Sequence, residues 1–416
     1  MEQSPGAGAG PRPRALFVSA DLPWPPDGGG RIATLRDLQA FARLYETDLV
    51  ALADPVGDPN ISELERLCRR VIVIRKPFTF GRHRLRQGAE AVRSLFSTEP
   101  YRLRKFRSRE LARVLVRVRA ETRYDVVHFD QFGVAPYWVP DAPTSYACQN
   151  VESDIYRLAT ATSRNPVMRL WAWQEGAKLR RSERRLLGRF DVVMALAEED
   201  ASLLRSLGAR SVRVIPMPAP PLRPVGQPPR EPVVLSLGTM SWFGVEEGLL
   251  WFHREVYPLV REQIPAVRWD VVGPNAGAAI RRLDGSEGIR VRGYVDDIGP
   301  VVEDARAAIV PLHIAGGIRM KLLDMMAAGV PSVCTALGAR GLLFRDGEGA
   351  FRRDDPRGFA EALVALLVDD ELWTRTVHQG QRYVAEQHTE GRLIEALEGA
   401  LSSAIESHAA NAGGAR

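Results

Sequence analysis

Cysteine is scarce in this chain: Cys68, Cys148 and Cys334 are the three among 416 residues. Their number is odd, their spacing is wide, and no CxxC pair or Cys/His cluster occurs. That argues against a disulfide scaffold or a zinc site and fits a reducing, cytoplasmic setting. Lysine is scarce too, with Lys76, Lys105, Lys178 and Lys321 the only four among 56 basic residues. Such a bias reports genome composition more than function. No run of 18 apolar residues exists, so no membrane-spanning helix is expected. Residues 1–14 are rich in Gly, Ala and Pro and lack the apolar stretch of a secretory signal, so they read as a disordered leader. GxGxxG is missing, and so is GxxxxGK followed by Ser or Thr. A nicotinamide or flavin dinucleotide site and a P-loop are therefore unsupported.

What remains is ordinary globular composition, 45% hydrophobic and 26% charged, with a net charge of +5. The length suggests two or three domains. Short, continuous apolar runs at 15–20, 47–53, 71–74, 125–129, 144–149 and 191–197 read as strands covered on both faces. Helical patterns fall between them at 31–44, 62–70, 108–121, 167–187 and 198–207. Residues 216–232 (PMPAPPLRPVGQPPREP) are too rich in proline for a helix or a central strand and read as a linker. Alternation then restarts, with strands expected at 233–237, 269–272, 289–295, 307–312 and 331–335. Helices are expected at 245–263, 317–328, 356–367 and 371–386, and a last one at 390–405. The fold class is thus α/β, with two Rossmann-like parallel-sheet domains facing across a cleft. The boundaries run 15–215, 216–232 and 233–388, with residues 389–416 as a C-terminal helix and tail. Ligand is expected in the cleft, at the carboxyl ends of the strands.

Two loops carry candidate chemistry. The first follows strand one, where Gly28, Gly29 and Gly30 precede a helix and Arg31. Glycines there let backbone N–H groups approach an anion. The second is Gly316-Gly-Ile-Arg319-Met-Lys321-Leu-Leu-Asp324, closed by Gly329 and Pro331. A helix start with bare amides suits a diphosphate. Two cations in a first turn oppose the helix dipole and cost stability until an anion arrives. Asp324 is placed to accept hydrogen bonds from a ribose diol.

The run GGIRMKLLDMMAAGVPSVCT resembles the nucleotide-sugar motif of family-4-like glycosyltransferases of the GT-B fold, of the bacterial exopolysaccharide type. Gly238-Thr239-Met-Ser-Trp242, Val271-Val-Gly273-Pro274 and Gly293-Tyr294-Val295-Asp296-Asp297 resemble its other donor-domain landmarks. Residues 23–31 resemble its P-x-P-x-x-G-G-x-R segment, and Asp125-Val-Val-His128 and Gln149-Asn150-Val-Glu152 fall where its acceptor-side strands end. The resemblance implies a glycosyltransferase that moves a sugar from a nucleotide-sugar co-substrate to a glycan or lipid-linked acceptor, with retention. No metal or other cofactor is implied, and Asp-x-Asp, the usual metal clamp of another transferase class, is absent. It assigns Arg319 and Lys321 to the leaving diphosphate and Asp324 to the ribose. Tyr294 and Val295 are placed beside the base, with Gly238, Thr239, Gly316, Gly317 and Ile318 around the donor. Gly28 and Gly29 face the phosphates or the sugar, and Gln149, Asn150 and Glu152 lie on the acceptor side.

Three positions depart from the family. Gly316 and Asp324 stand where two glutamates are common, and Gln149 stands where many relatives have His. Gln can hydrogen-bond a sugar hydroxyl but cannot act as a general base. That leaves His128 as the nearby candidate base, against a satisfied histidine at a strand end. A non-catalytic nucleotide-sugar binder or membrane-docking protein, and a GT-B epimerase, are the alternatives. Between residues 81 and 123 lie 13 basic residues against four acidic ones, interleaved with Leu85, Phe96, Tyr101, Leu103 and Phe106. A second basic stretch, Lys178 to Arg189, follows Trp171 and Trp173. These suggest an anionic membrane surface as a partner and a peripheral place at the inner membrane face. Nucleic acid is not expected, since no nucleic-acid-binding fold is visible.

Overall fold

The structure, a computed structural model, describes residues 12–26, 28–54, 61–76, 93–163, 165–240, 243–314 and 317–414. Seven strands come first: β1 (Arg14–Ser19), β2 (Glu46–Ala53), β3 (Arg70–Arg75), β4 (Val126–Asp130), β5 (Thr144–Cys148), β6 (Val192–Ala195) and β7 (Val212–Val214). They form one parallel sheet in the order β3-β2-β1-β4-β5-β6-β7. Six follow: β8 (Val233–Leu237), β9 (Arg268–Val272), β10 (Ile289–Gly293), β11 (Ala307–Val310), β12 (Ser332–Cys334) and β13 (Ala350–Arg352). Their sheet is also parallel, in the order β10-β9-β8-β11-β12-β13.

Helices cover both faces of each sheet, and alternation along β1 shows how. Leu16 and Val18 point into one core with Phe129, Tyr146 and Phe190. Ala15 and Phe17 point into the other, with Leu38 and Phe41 of the helix Gly29–Leu44. Strand order reverses between β1 and β4, and again between β8 and β11. Each reversal opens a crevice at the carboxyl ends of those strands. Gly28 follows β1, Gly238 follows β8, and residues 311–319 follow β11. All three glycine-bearing loops therefore sit at switch points.

Residues 216–232 hold neither helix nor strand, as their prolines dictate. They are docked all the same: Ala219 N–H donates to the His388 carbonyl (2.9 Å) and Val225 N–H to that of Ala328 (2.8 Å). The outgoing and returning passages between the sheets thus run side by side. The returning chain enters the helix Glu390–Gly414. Its Leu393, Leu397, Ala400, Leu401 and Ala404, at helical spacing, pack into the first-sheet core beside Phe17 and Val192. That helix runs nine residues past the expected end at 405.

The helix expected over 245–263 is interrupted, with π-type turns at Phe252–Val256 between Phe243–Trp251 and Tyr257–Gln263. Pro258 lacks the N–H that a regular turn needs there. The helix expected from Gly317 begins at Met320, because Gly317 takes a left-handed φ of 66°. Of the aromatic and apolar residues in the basic region, Tyr101, Leu103 and Phe106 are core, not surface. Leu85, with Arg82, Arg84 and Arg86, lies outside the described residues.

Candidate active site

At the first switch point, Gly28 caps the helix Gly29–Leu44 in an extended conformation. A Cβ at Gly28 or Gly29 would meet nothing within 4 Å. Both glycines face a cleft of about 280 Å3 whose walls include Arg102, Gln131, Gln149, Asn150 and Glu152. Glu152 is buried and ion-paired with Arg102, its carboxylate 2.7 Å from the guanidinium Nε. Its charge is thereby paired inside the wall.

Beneath the cleft lies Asp130, the last residue of β4, which no sequence motif marks. Its carboxylate is fully buried and accepts from Thr34 Oγ1 (2.6 Å), Gln149 Nε2 (3.0 Å) and Ser19 Oγ (3.1 Å). Burial pushes its pKa up to about 6, and the three donors pull against that. The network spends the donor end of Gln149, whose Nε2 also reaches Thr34 Oγ1 (2.9 Å) and the Gly30 carbonyl (3.3 Å). Gln149 therefore ties strand tip to helix start, and its NH2 group is committed to the protein rather than offered to a sugar.

His128 is two residues deeper on the same face of β4. It packs between Phe17 and Phe41, each 4.6 Å from its ring, and pairs through Nδ1 with Ser145 Oγ at 2.8 Å. Burial pushes its pKa down to about 3. Its expected role as a base is corrected: it is a neutral core residue, 1% exposed. The unfolded chain binds a proton below about pH 6.5 that the folded chain refuses until about pH 3. His128→Asn should therefore flatten the acid-side loss of stability across that window, read by denaturation at several pH values. It should leave turnover of the folded enzyme nearly unchanged, far from the 10²–10⁴-fold of a lost general base.

At the second switch point, Gly238 is buried and its loop touches the next, for a Cβ on Gly273 would fall 1.7 Å from the Gly238 carbonyl. Thr239 is half-buried beside it. His313, past the end of β11, packs edge-on to Trp251 at 4.8 Å. Tyr294 is exposed and Val295 half-buried past the end of β10. Gly316 lies outside the described residues. Ile318 is buried, its Cα 3.0 Å from where a Cβ of Gly341 would stand.

Arg319 caps the helix Met320–Ala328 rather than lying in its first turn, and its Nη2 donates to the Gly317 carbonyl at 2.7 Å. Burial pushes its pKa down to about 10, while Asp200 of the first domain holds it up and Arg340 lowers it. Arg340 reaches across as well, to Asp200 Oδ1 (2.5 Å) and Asp154 Oδ2 (2.9 Å). Asp154, Asp200 and Arg340 were not singled out in the sequence, and no spacing could have joined them. Lys321 lies in the helix's first turn; burial lowers its pKa and Asp324 opposes that. Asp324 is pushed up to about 6 by burial, with Arg36 of the first domain and Lys321 pulling down. Its Oδ1 has no hydrogen-bond partner among the described residues. Among those residues, no three His, Cys, Asp or Glu side chains gather as a metal site.

Gly317 joins the two halves. A Cβ there would stand 2.3 Å from the Gln149 carbonyl oxygen and 3.0 Å from Asn150 Oδ1. Gly317→Ala must both strain a left-handed residue and push the loop after β11 off the loop after β5. A shift of about 1 Å at a reacting centre costs about 100-fold in rate, and that is the loss in kcat expected. Gly28→Ala, facing open space, should melt with the parent protein.

Comparison with known proteins fits this architecture. Residues 231–369 match the family Glycosyl transferases group 1. Phosphatidyl-myo-inositol mannosyltransferase from Mycobacterium leprae is 34% identical over 136 residues, 31% of this chain and 36% of that one. An uncharacterised protein of the cps region of Klebsiella pneumoniae is 20% identical over 368 residues, 84% and 90% of the two chains. Sucrose-phosphate synthase from Thermosynechococcus elongatus superposes with a TM-score of 0.68 at 18% identity, covering 93% and 98%. HepE of Anabaena, solved with UDP and glucose, gives 0.62 at 14% identity, covering 93% and 99%. The chain is a glycosyltransferase built on the GT-B fold.

Proposed function

We propose that this enzyme moves a sugar from a nucleotide-sugar donor to a glycan or lipid-linked acceptor, with retention and without a metal ion. The observation that carries the reading is the meeting of Gly317 with Gln149 and Asn150, beside Arg319, Lys321 and Asp324, where the two switch-point crevices face each other. In this reading Tyr294 and Val295 flank the base and the open Oδ1 of Asp324 accepts a ribose hydroxyl. The diphosphate lies against Arg319 and Lys321, and the sugar points toward Gly28 and Gly29. HepE of Anabaena was solved with UDP-glucose, so a uridine nucleotide is the first donor to test.

The chemistry asked of the protein is charge stabilisation. As the glycosidic C–O bond breaks, negative charge grows on the leaving phosphate. Buried cations offset it best, because a desolvated charge acts in a low dielectric. With His128 in the core and the Gln149 amide engaged, the departing phosphate oxygen takes the acceptor's proton and no side-chain base is needed. Among the described residues no helix is long and apolar enough to cross a membrane. The proposed setting is the cytoplasm, at the inner membrane face where a lipid-linked acceptor would sit.

Slow donor hydrolysis tests this without a known acceptor. The purified enzyme should release sugar from one nucleotide sugar in excess EDTA, with the donor's anomeric configuration in the first product seen by NMR. Release that needs a divalent ion, or an inverted first product, would sink the retaining, metal-free reading.

A further inference from the structure

Thirteen large apolar side chains are exposed among the described residues, and six of them share one neighbourhood. Val167, Met168, Leu170 and Trp173 lie on the first two turns of the helix Pro166–Leu186. Leu95 and Phe96, the latter 90% exposed, stand beside them, for Gln174 Nε2 donates to the Leu95 carbonyl at 2.8 Å. The other seven are scattered through the sequence, which is ordinary; a cluster of six is not.

The charge on that helix is one-sided. Its solvent face carries Arg169, Arg180, Arg181, Arg184 and Arg185. Leu170, Trp173, Arg180 and Arg184 follow helical spacing and form a single stripe. Both acids of the helix are turned inward. Glu175 binds Lys178 (2.7 Å) and the Tyr101 amide (2.7 Å), and Glu183 accepts from the Ser153 amide (3.1 Å). An apolar tip backed by arginine alone matches an anionic bilayer, where the tip enters the acyl boundary and the guanidinium groups meet headgroups. A second copy of the chain would bring the same positive face against itself.

We propose that the apolar tip of the helix Pro166–Leu186, together with Leu95 and Phe96, docks this protein on an anionic lipid bilayer. The face adjoins the acceptor cleft. Trp171, on the same turns, packs its ring 6.5 Å from Tyr101, and the next residue, Arg102, lines the cleft with Glu152. Docking would hold the cleft at headgroup level, within reach of a lipid-linked sugar. The inference draws on the proposed function only for that acceptor, and vesicle binding is read without any donor.

The experiment is co-sedimentation of the full chain with phosphatidylglycerol/phosphatidylethanolamine vesicles and with pure phosphatidylcholine vesicles. Binding to the anionic vesicles should be at least about tenfold tighter and should weaken with salt. The triple variant Phe96→Ser/Leu170→Ser/Trp173→Ser should lose it at an unchanged melting temperature, since all three side chains are exposed. Arg180→Glu/Arg184→Glu should lose it too. No binding of the parent protein, or equal binding by the triple variant, overturns the proposal. So does a concentration-dependent dimer that the triple variant abolishes, for then a second copy covers the patch. Nucleotide binding is measured separately, so a failure here leaves the donor-site reading standing, and the reverse holds.

Discussion

Arg340→Met should destabilise the closed arrangement by about 3–5 kcal/mol, the cost of leaving a buried charge without its partner. The side chains of Arg340, Asp154 and Asp200 are 11%, 6% and 1% exposed, so little water screens them. The loss will not divide evenly. Asp154 keeps Arg157 at 2.8 Å, whereas Asp200 loses the guanidinium at 2.5 Å. Burial already pushes the Asp200 pKa up, and Arg340 opposes that more strongly than Arg319 does. The domains have a way to relieve the strain, which is to part and let Asp200 rehydrate. The loss should therefore show as a lower melting temperature and as a larger radius of gyration in solution scattering. The double variant Arg340→Met/Asp200→Asn removes both charges and should recover most of the loss. If the two single changes simply add, the ion pair does not couple the domains.

Arg319→Ala should lower kcat by about 10²–10³-fold, the usual size of losing one preorganised donor to a developing negative charge. Its effect on the fold should be much smaller. Arg340 still pairs with Asp200 when Arg319 is gone, and the helix that Arg319 caps keeps its own ladder, since the arginine side chain makes no capping bond. Arg319→Lys should recover part of the rate, because a point charge replaces the fork but not its geometry. Single-turnover rates with saturating donor separate this from weaker binding. A variant that melts like the parent protein and turns over within a fewfold of it would remove Arg319 from the donor site.

The two sheets were legible because parallel strands covered on both faces are written as continuous apolar runs, and those at 47–53 and 233–237 lie within a residue of β2 and β8. β7 and β13, edge strands of the two sheets, are partly exposed and leave no such run. The loop after β11, the proposed donor loop, was legible because its residues are contiguous. Its local geometry was not: Gly317 reads as a residue that admits an anion, but its left-handed φ and its contact with Gln149 depend on the other domain. In the sequence His128 is the titratable imidazole near a strand end, while in the fold Asp130, two residues on, holds the network under the cleft. Which of two same-face residues lies at the cleft is set by where the strand stops. The ion cluster was invisible for a simpler reason. Arg340 stands 186 residues from Asp154 and 140 from Asp200, so only the folded chain brings them together.

If the proposed function holds, a nucleoside diphosphate binds against Arg319 and Lys321 where the two domains meet. The melting temperature of the protein with UDP, GDP, ADP, dTDP or CDP tests this most directly. A ligand at about 100 times its Kd adds roughly 2.7 kcal/mol to stability, which a melting curve resolves. One of these nucleotides should raise the melting temperature of the parent protein, and Arg319→Ala should abolish the rise. A parent protein indifferent to all five, or a rise that survives in both Arg319→Ala and Lys321→Ala, would contradict it.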